Sequence, residues 1–417
     1  MKLLHTADWH LGRTFYEYDR CREHIHFLTN LKKHIKELDV DVLLIAGDIF
    51  DSPNPSADSQ KMYYTFLREV TAENSSLQIV IIAGNHDSAA RLEAPNPLLE
   101  GMNITVRGVV KRTNDDDIDY SHLLIPLFAQ GETGKIAAWC MAVPYLRQGD
   151  YPQADTYSSY SLGVGKMYKC LYEHLSAYLA TIGTDKRSPI IAMGHLQATG
   201  SEISADDRSE RTIIGGLEAI SPDSFSPEIT YTALGHLHRA QRVSGRENVR
   251  YAGSPFPMSF AEVNNKQGFT LIEIGNKQDI KIAHIEMEPL VKLLSIPHHP
   301  SSPSSLPEVF DAIQQLPDGE INANSPYLEI KVKITEPEPS LRFHIEEALK
   351  GKSVRLARIV AAVPKNEHEL KTAVYEELQT INPMDMATDI FRHRFGGEEM
   401  PDEMKKLLQT VIQELAV

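Results

Sequence analysis

Cysteine is scarce in this chain: there are three among 417 residues, Cys21, Cys140 and Cys170, far apart and without a CxxC pair. A disulfide framework and a thiolate zinc site are thereby excluded, and a reducing compartment fits best. Long apolar runs are missing as well. The apolar start of MKLLHTADWH stops after two leucines, and no stretch approaches the roughly 18 residues that a span requires, so neither a signal peptide nor a membrane segment is expected. The expected location is the cytoplasm. Basic charge is in deficit, with 42 Lys and Arg against 57 Asp and Glu and a net charge of -15. A chain this acidic does not grip nucleic acid by overall charge, although local basic clefts and bound cations remain compatible with it. Biased composition is absent too: 24 Gly, 24 Pro and 42% hydrophobic residues are ordinary for folded domains. Disorder, collagen and coiled-coil fibres are excluded, and no internal repeat of solenoid length is present. At roughly 150 residues per domain the length suggests two or three domains.

What is present is a pattern that recurs five times. A short β-branched or leucine-rich run ends in a small residue and then in residues able to bind metal: KLLHTADWH (2–10), DVLLIAGD (41–48), QIVIIAGNHD (78–87), SPIIAMGH (188–195) and ITYTALGHLH (229–238). Runs this short, apolar without alternation, read as strands buried on both faces. Ile25, Leu28, Leu31, Ile35 and Leu38 recur at helical spacing after the first run, and a second helix is expected at about 57–72. The opening hundred residues therefore read βαβαβ, an α/β class in which ligands gather at the carboxyl ends of the strands. Residues 100–160 are expected to hold loops and short strands. YAGSPFPMSF and GFTLIEIG (251–275) suggest an edge or a second sheet of the same domain.

Composition shifts after about residue 288, where PHHPSSPSSLP (297–307) reads as a loop. VKLLSI, PEVFDAIQQL, YLEIKVKI, SLRFHIEEALK and SVRLARIVAAV then alternate strand and helix, a small α+β domain over about 285–365. Met404, Leu407, Leu408, Val411, Ile412 and Leu415 make an apolar helical stripe near the end, suited either to a partner or to the chain's own small domain.

The strand ends carry Asp8 and His10, Asp48, Asn85 with His86 and Asp87, His195, and His236 with His238. One Asp or His at a strand end is ordinarily a turn former or a hydrogen-bonded surface residue. Five clusters at the same topological place point instead to metal. Seven of these residues suffice for two ions held by imidazole, carboxylate and amide oxygen, with Asp48 as the bridging carboxylate. In DxH and HxH both side chains lie on one side of an extended backbone. Asn85 also suits a left-handed turn after Gly84, and Asp87 suits equally a helix cap before Ser88 and a group that holds the ligands. Trp9 is expected to pack beneath the site rather than stack on nucleic acid. Arg13, Arg147, Arg239 and the loop SADDRSERT (204–212) supply local positive charge, while KKHIK (32–36) reads as an exposed helix face.

DxH at Asp8, GD at Asp48, GNHD at Asn85, GH at His195 and GHLH at His236, in that order, resemble the calcineurin-like metallophosphoesterases. HTADWHLGRTF, LLIAGDIFD and GSPFPMSF look like the SbcD-type nuclease subunits within that family. The motifs cover about residues 1–275, and beyond 285 the likeness is architectural. The resemblance implies a metallophosphoesterase β-sandwich flanked by helices over 1–284, an α+β capping domain over 285–365 and a C-terminal helical segment over 366–417 that docks an SMC-like ATPase. It implies one ion among Asp8, His10, Asp48 and His238 and a second among Asp48, Asn85, His195 and His236. Manganese is the metal implied, with Mg2+ and Fe2+ compatible with the donors. The implied activity is 3'-5' double-strand exonuclease and single-strand endonuclease action on DNA ends and hairpins, in repair, recombination and replication, by a homodimer within a heterotetramer. His86, beside a ligand, is placed to protonate the leaving oxygen, or else to serve as a further ligand. Asp51 stands where some relatives carry a histidine that handles the product phosphate, so that role is not expected here. The rival readings are a phosphatase or cyclic phosphodiesterase with the same site, and a DNA-end scaffold that does not cut. The surplus length beyond 285 argues against the first and the complete ligand set against the second.

Overall fold

The computed structural model describes residues 1–362 except 132–133, 153–158, 183–187, 202–218, 276–278, 299–300 and 335–339, together with 391, 400, 401, 404 and 405. The expected C-terminal helical segment and the SADDRSERT loop therefore lie outside the described residues, apart from isolated positions of the former.

All five ligand-bearing runs are strands: Lys2–Thr6, Val42–Ala46, Gln78–Ile82, Ile190–His195 and Tyr231–Gly235. The first three are neighbours in one six-stranded sheet, ordered Ile280–Glu286, Gly268–Ile274, Lys2–Thr6, Val42–Ala46, Gln78–Ile82 and Ile104–Arg107. The last two are neighbours in a second six-stranded sheet, ordered Gln241–Val243, Arg246–Tyr251, Tyr231–Gly235, Ile190–His195, Ile136–Ala142 and Leu124–Phe128. Within each sheet the ligand-bearing strands run parallel, so their loops leave at one end.

Why the runs are apolar without alternation follows from the layers. Leu3, Val42, Leu44, Val80 and Ile82 meet Ile125, Leu127, Ile191, Met193 and Ala233 between the two sheets. Their neighbours Leu4, Leu43, Ile45, Ile79 and Ile81 face outward, onto Phe27, Leu31 and Ile35 of the helix Cys21–Glu37 and Phe66 and Val70 of the helix Ala57–Glu73. The second sheet is covered in the same way by Val164, Met167, Leu171 and Leu175 of the helix Tyr160–Thr181. A strand buried on both faces has no polar side to show in its sequence.

Some expectations need correction. Ile25, placed on the apolar stripe of the first helix, is 51% exposed; His24 and Phe27 join Leu28, Leu31 and Ile35 on the buried face instead. The 100–160 region contains a seven-residue strand, Ile136–Ala142, fully within the second sheet. GFTLIEI is an interior strand of the first sheet, antiparallel to Lys2–Thr6, and the edge beside it is Ile280–Glu286. In KKHIK, Lys32 is no idle surface charge: its Nζ reaches Glu69 at 3.0 Å and Glu73 at 3.3 Å on the next helix.

The region after 288 forms a separate four-stranded sheet, in which Tyr327–Lys333 pairs in parallel with Leu293–Ile296, Ser304–Ser305 and Arg355–Ala362. The helices Leu306–Gln314 and Leu341–Ala348 supply Val309, Ile313, Leu341 and Ile345 to its core. It meets the sandwich through an aromatic cluster of Phe15, Phe260 and Tyr327 with Val291 and Leu293. The Tyr327 hydroxyl donates to buried Glu23 at 3.0 Å, and Tyr18 donates to the Leu356 carbonyl at 3.0 Å.

Candidate metal centre

Glycines open the turns that aim the ligands. Gly47 sits at φ +90°, and a Cβ there would lie 2.3 Å from His195 Nδ1. At Gly84 a Cβ would lie 2.1 Å from Asp48 Oδ1, so only glycine lets these loops approach. Four candidate ligands carry left-handed backbone themselves: Asp8 (φ 54°), His10 (φ 45°), Asp48 (φ 50°) and His236 (φ 102°). Such conformations cost of order 1–3 kcal/mol each and persist where the surroundings overdetermine them, which is common at functional sites. Backbone hydrogen bonds supply that determination: Asp8 N–H donates to Gly47 O at 3.0 Å and His10 N–H to Asp48 O at 3.0 Å.

The seven side chains named from sequence converge. His10 Nε2 lies 3.2 Å from His238 Nε2 and 3.7 Å from Asp48 Oδ2, and Asp8, His10 and His238 form one cluster of potential ligands. On the other side of Asp48, His195 Nε2 lies 3.2 Å from Asp48 Oδ2 and 3.0 Å from Asn85 Oδ1, and His236 Nδ1 lies 3.0 Å from the same Asn85 oxygen. Asp48 is the carboxylate between the two groups.

Ring orientation is set from behind. His195 Nδ1 donates to the Ala46 carbonyl at 2.8 Å, which leaves Nε2 for the centre. His238 Nδ1 donates to Glu262 Oε1 at 3.1 Å, and His10 Nδ1 lies 3.3 Å from Asp51 Oδ1. Asp51, whose role was open from sequence, thus backs a candidate ligand, and its main-chain carbonyl accepts from His86 Nδ1 at 3.0 Å. His86 N–H donates to Asp48 Oδ1 at 2.9 Å, and the His86 and His10 rings meet edge to face at 4.8 Å. His86 also falls in a cluster with His10 and Asp48, so geometry admits both roles considered for it.

Electrostatically the centre is a buried cluster of carboxylates and imidazoles suited to a cation. Burial works against ionising Asp48, but His195, His10 and His86 outweigh it and hold the carboxyl well below its usual range. Burial likewise disfavours a charged His195, yet Asp48 and Asp8 lift its ring to about 9. Asp8 is pushed up by burial against the pull of His195. Its Oδ1 accepts from His236 N–H at 2.9 Å, while Oδ2 is buried with no hydrogen-bond partner. An orphaned buried carboxylate oxygen is costly unless a cation takes it. Carboxylate, imidazole and amide oxygen with no thiolate suit hard to borderline divalent ions, so these residues fit a metal pair.

Asp87 caps no helix. Its carboxylate accepts from the amides of Gly84 (2.9 Å), Phe50 (3.0 Å) and Ile49 (3.2 Å), which ties the Asp48 and Asn85 loops together, and burial raises it to about 6. Trp9 packs beneath the site with zero exposure, edge-on to Phe27 and Phe66. Of the arginines, Arg13 reaches Asp51 at 3.4 Å, Arg147 lies 5.7 Å from the ring of Tyr145, which itself abuts His195, and Arg239 is exposed. Tyr145 and Glu262 were not singled out from sequence, since nothing local distinguishes them from ordinary core and surface residues.

A model of the calcineurin-like phosphoesterases matches residues 1–240. The chain belongs to that family. A model described as the type 5 capsule protein repressor C-terminal domain matches residues 289–395. The chain is 36% identical to the SbcD subunit of the SbcCD nuclease of Rhodobacter capsulatus over 373 residues, 88% of each chain. It is 27% identical to the corresponding SbcD protein of Escherichia coli K12, over 98% of this chain and 96% of the other. Within the phosphoesterases it therefore belongs with the SbcD-type nuclease subunits. Among solved structures a dimetal phosphatase from Danio rerio is a distant likeness, with a TM-score of 0.37 and 13% identity over 69% of this chain and 96% of that one.

Proposed function

We propose that the chain is the two-metal nuclease subunit of a complex with an SMC-like ATPase, cutting double-stranded DNA ends exonucleolytically from 3' to 5' and single strands and hairpins endonucleolytically. The observation that carries the reading is the convergence of seven donors from five strand ends on two points that share Asp48. Asp8, His10, Asp48 and His238 would hold one ion and Asp48, Asn85, His195 and His236 the other, with Mn2+ the preferred metal and Mg2+ or Fe2+ able to substitute. When bound, such a pair activates water and neutralises charge on a phosphodiester. The residues do the rest. Asn85 and the histidines fix the ions' spacing, and the buried loops exclude bulk water. His86, with Nδ1 committed to the Asp51 carbonyl, keeps Nε2 to deliver a proton to the departing sugar oxygen.

Residues 1–284 are the catalytic domain in this reading, 285–365 the cap and 366–417 the ATPase-docking segment. The subunit works as a homodimer within a heterotetramer in the cytoplasm, in DNA repair, recombination and replication. The helices near the N-terminus and at 90–100 are the candidate dimer surfaces. Among the described residues no helix is long and apolar enough to cross a membrane.

The test is cleavage of end-labelled duplex and hairpin DNA by the purified chain with Mn2+, beside a small phosphodiester and a His86→Ala chain. DNA cleavage lost in His86→Ala supports the reading. Hydrolysis of the small substrate alone, unchanged on adding the ATPase, overturns it in favour of a phosphodiesterase.

A further inference from the structure

We infer that Glu262 is a positioning residue for the metal centre, holding the His238 imidazole in the tautomer that offers Nε2 to a divalent ion. The inference rests on the two-ion reading above and extends it to a residue outside the seven.

The geometry is closed on every side. Glu262 Oε1 accepts from His238 Nδ1 at 3.1 Å, with both side chains only 3% exposed. Its Oε2 accepts from Met258 N–H at 2.9 Å. Ser254 in turn grips the main chain of the same histidine: its N–H donates to the His238 carbonyl at 3.0 Å, while its hydroxyl has its shortest acceptor in the Phe256 carbonyl at 3.0 Å. The segment GSPFPMSF holds His238 by its carbonyl, and Glu262, two residues beyond it, holds the ring, which gives this motif a physical task that contributes no ligand. The Met258 amide already holds the carboxylate for purely structural ends. The bond to the ring adds something else. With Nδ1–H committed to a carboxylate, only Nε2 remains as a lone-pair donor, and it is the atom 3.2 Å from His10 Nε2. A carboxylate behind an imidazole also makes the ligating nitrogen more basic, and losing such a partner typically costs 10–100-fold in metal affinity.

The turn Phe260–Glu262 has a second face. Phe260 packs with Phe15, Val291, Leu293 and Tyr327, so the turn that carries Glu262 also touches the small α+β domain.

Glu262→Gln is the informative variant. An amide has one accepting and one donating arm, so neither rotamer satisfies both His238 Nδ1–H and Met258 N–H. Mn2+ titration of the full chain by calorimetry is expected to show two ions in the wild type. In Glu262→Gln one of them should be weakened 10–100-fold and the other little changed, in a chain that still melts cooperatively without metal. A His195→Ala chain should weaken the other ion. A folded Glu262→Gln chain that binds both ions as the wild type does overturns the inference. Fewer than two ions in the wild type overturns the two-ion reading itself. Should the variant fail to fold, the wild type loaded with Mg2+ and 15N-labelled at histidine decides. His238 protonated at Nδ1 is the expected result, and a proton on its Nε2 sinks the inference.

Discussion

Asp48 carries the heaviest demand of any single residue, because its carboxylate stands between both ligand groups. Asp48→Ala is expected to abolish binding of both Mn2+ ions, whereas His236→Ala should weaken one; equal losses in a calorimetric titration would contradict the shared carboxylate. Trp9 illustrates the opposite kind of importance. Its side chain is fully buried against Phe27 and Phe66, with its indole N–H donating to Thr6 Oγ1 at 3.0 Å. Trp9→Ala is expected to lower metal-free stability by about 3–5 kcal/mol, measured by urea unfolding. A loss below about 1 kcal/mol would mean that the pocket collapses around the smaller residue. Residue types were legible in the sequence here, since Asp, Asn and His at strand ends announce themselves. Their backing groups were not. Asp51, Asp87 and Glu262 act through neighbours 3 to 41 positions away, and a lone acidic residue carries no mark of its partner.

At the scale of elements, one contact shows how a short helix is tied down. The helix Ala89–Glu93 is five residues long, too short to stand alone. Glu93 fastens it by accepting from the amides of Gly108 at 2.8 Å and Val109 at 3.0 Å, with Lys111 at 3.2 Å and His122 at 3.4 Å. Burial pushes the Glu93 carboxyl up, but His122, the two amides and Lys111 prevail and hold it at about 2. A folded value below the ordinary 4.5 means that the stabilisation is fully present above about pH 4.5 and is lost as pH falls towards 2. Glu93→Gln should therefore lower the melting temperature at pH 7, and the gap from the wild type should narrow between pH 4.5 and 3. A gap independent of pH would assign the effect to packing. Strand positions were readable because double burial makes them uniformly apolar. The exposed Ile25 was misread because helical periodicity reports a stripe and not its width, and His24 took the buried place.

For the whole molecule, the decisive contact is between the sandwich and the small α+β sheet. Arg20 and Glu23 are buried as an ion pair at 2.6 Å, Arg20 also donates to the Pro257 carbonyl at 2.7 Å, and Tyr327 donates to Glu23 from the other sheet. Tyr327→Phe removes that last bond to a charged group and is expected to cost about 1.5–3 kcal/mol in urea unfolding. A double-mutant cycle with Glu23→Gln checks it: purely additive losses would show that the hydroxyl and the carboxylate do not interact. From the sequence alone came the α/β class, five strands with their donors in chain order, the chemical kind of ion those donors suit, and the strand and helix alternation after residue 288. Periodicity and residue type are local, so a linear reading reaches them. Tertiary structure alone decided the distances at which the donors meet, which nitrogen of each histidine faces the centre, and that Glu262 stands behind His238. Those facts depend on two sheets packing face to face with their strand ends together, which brings residues 228 positions apart, such as His10 and His238, to within 3.2 Å.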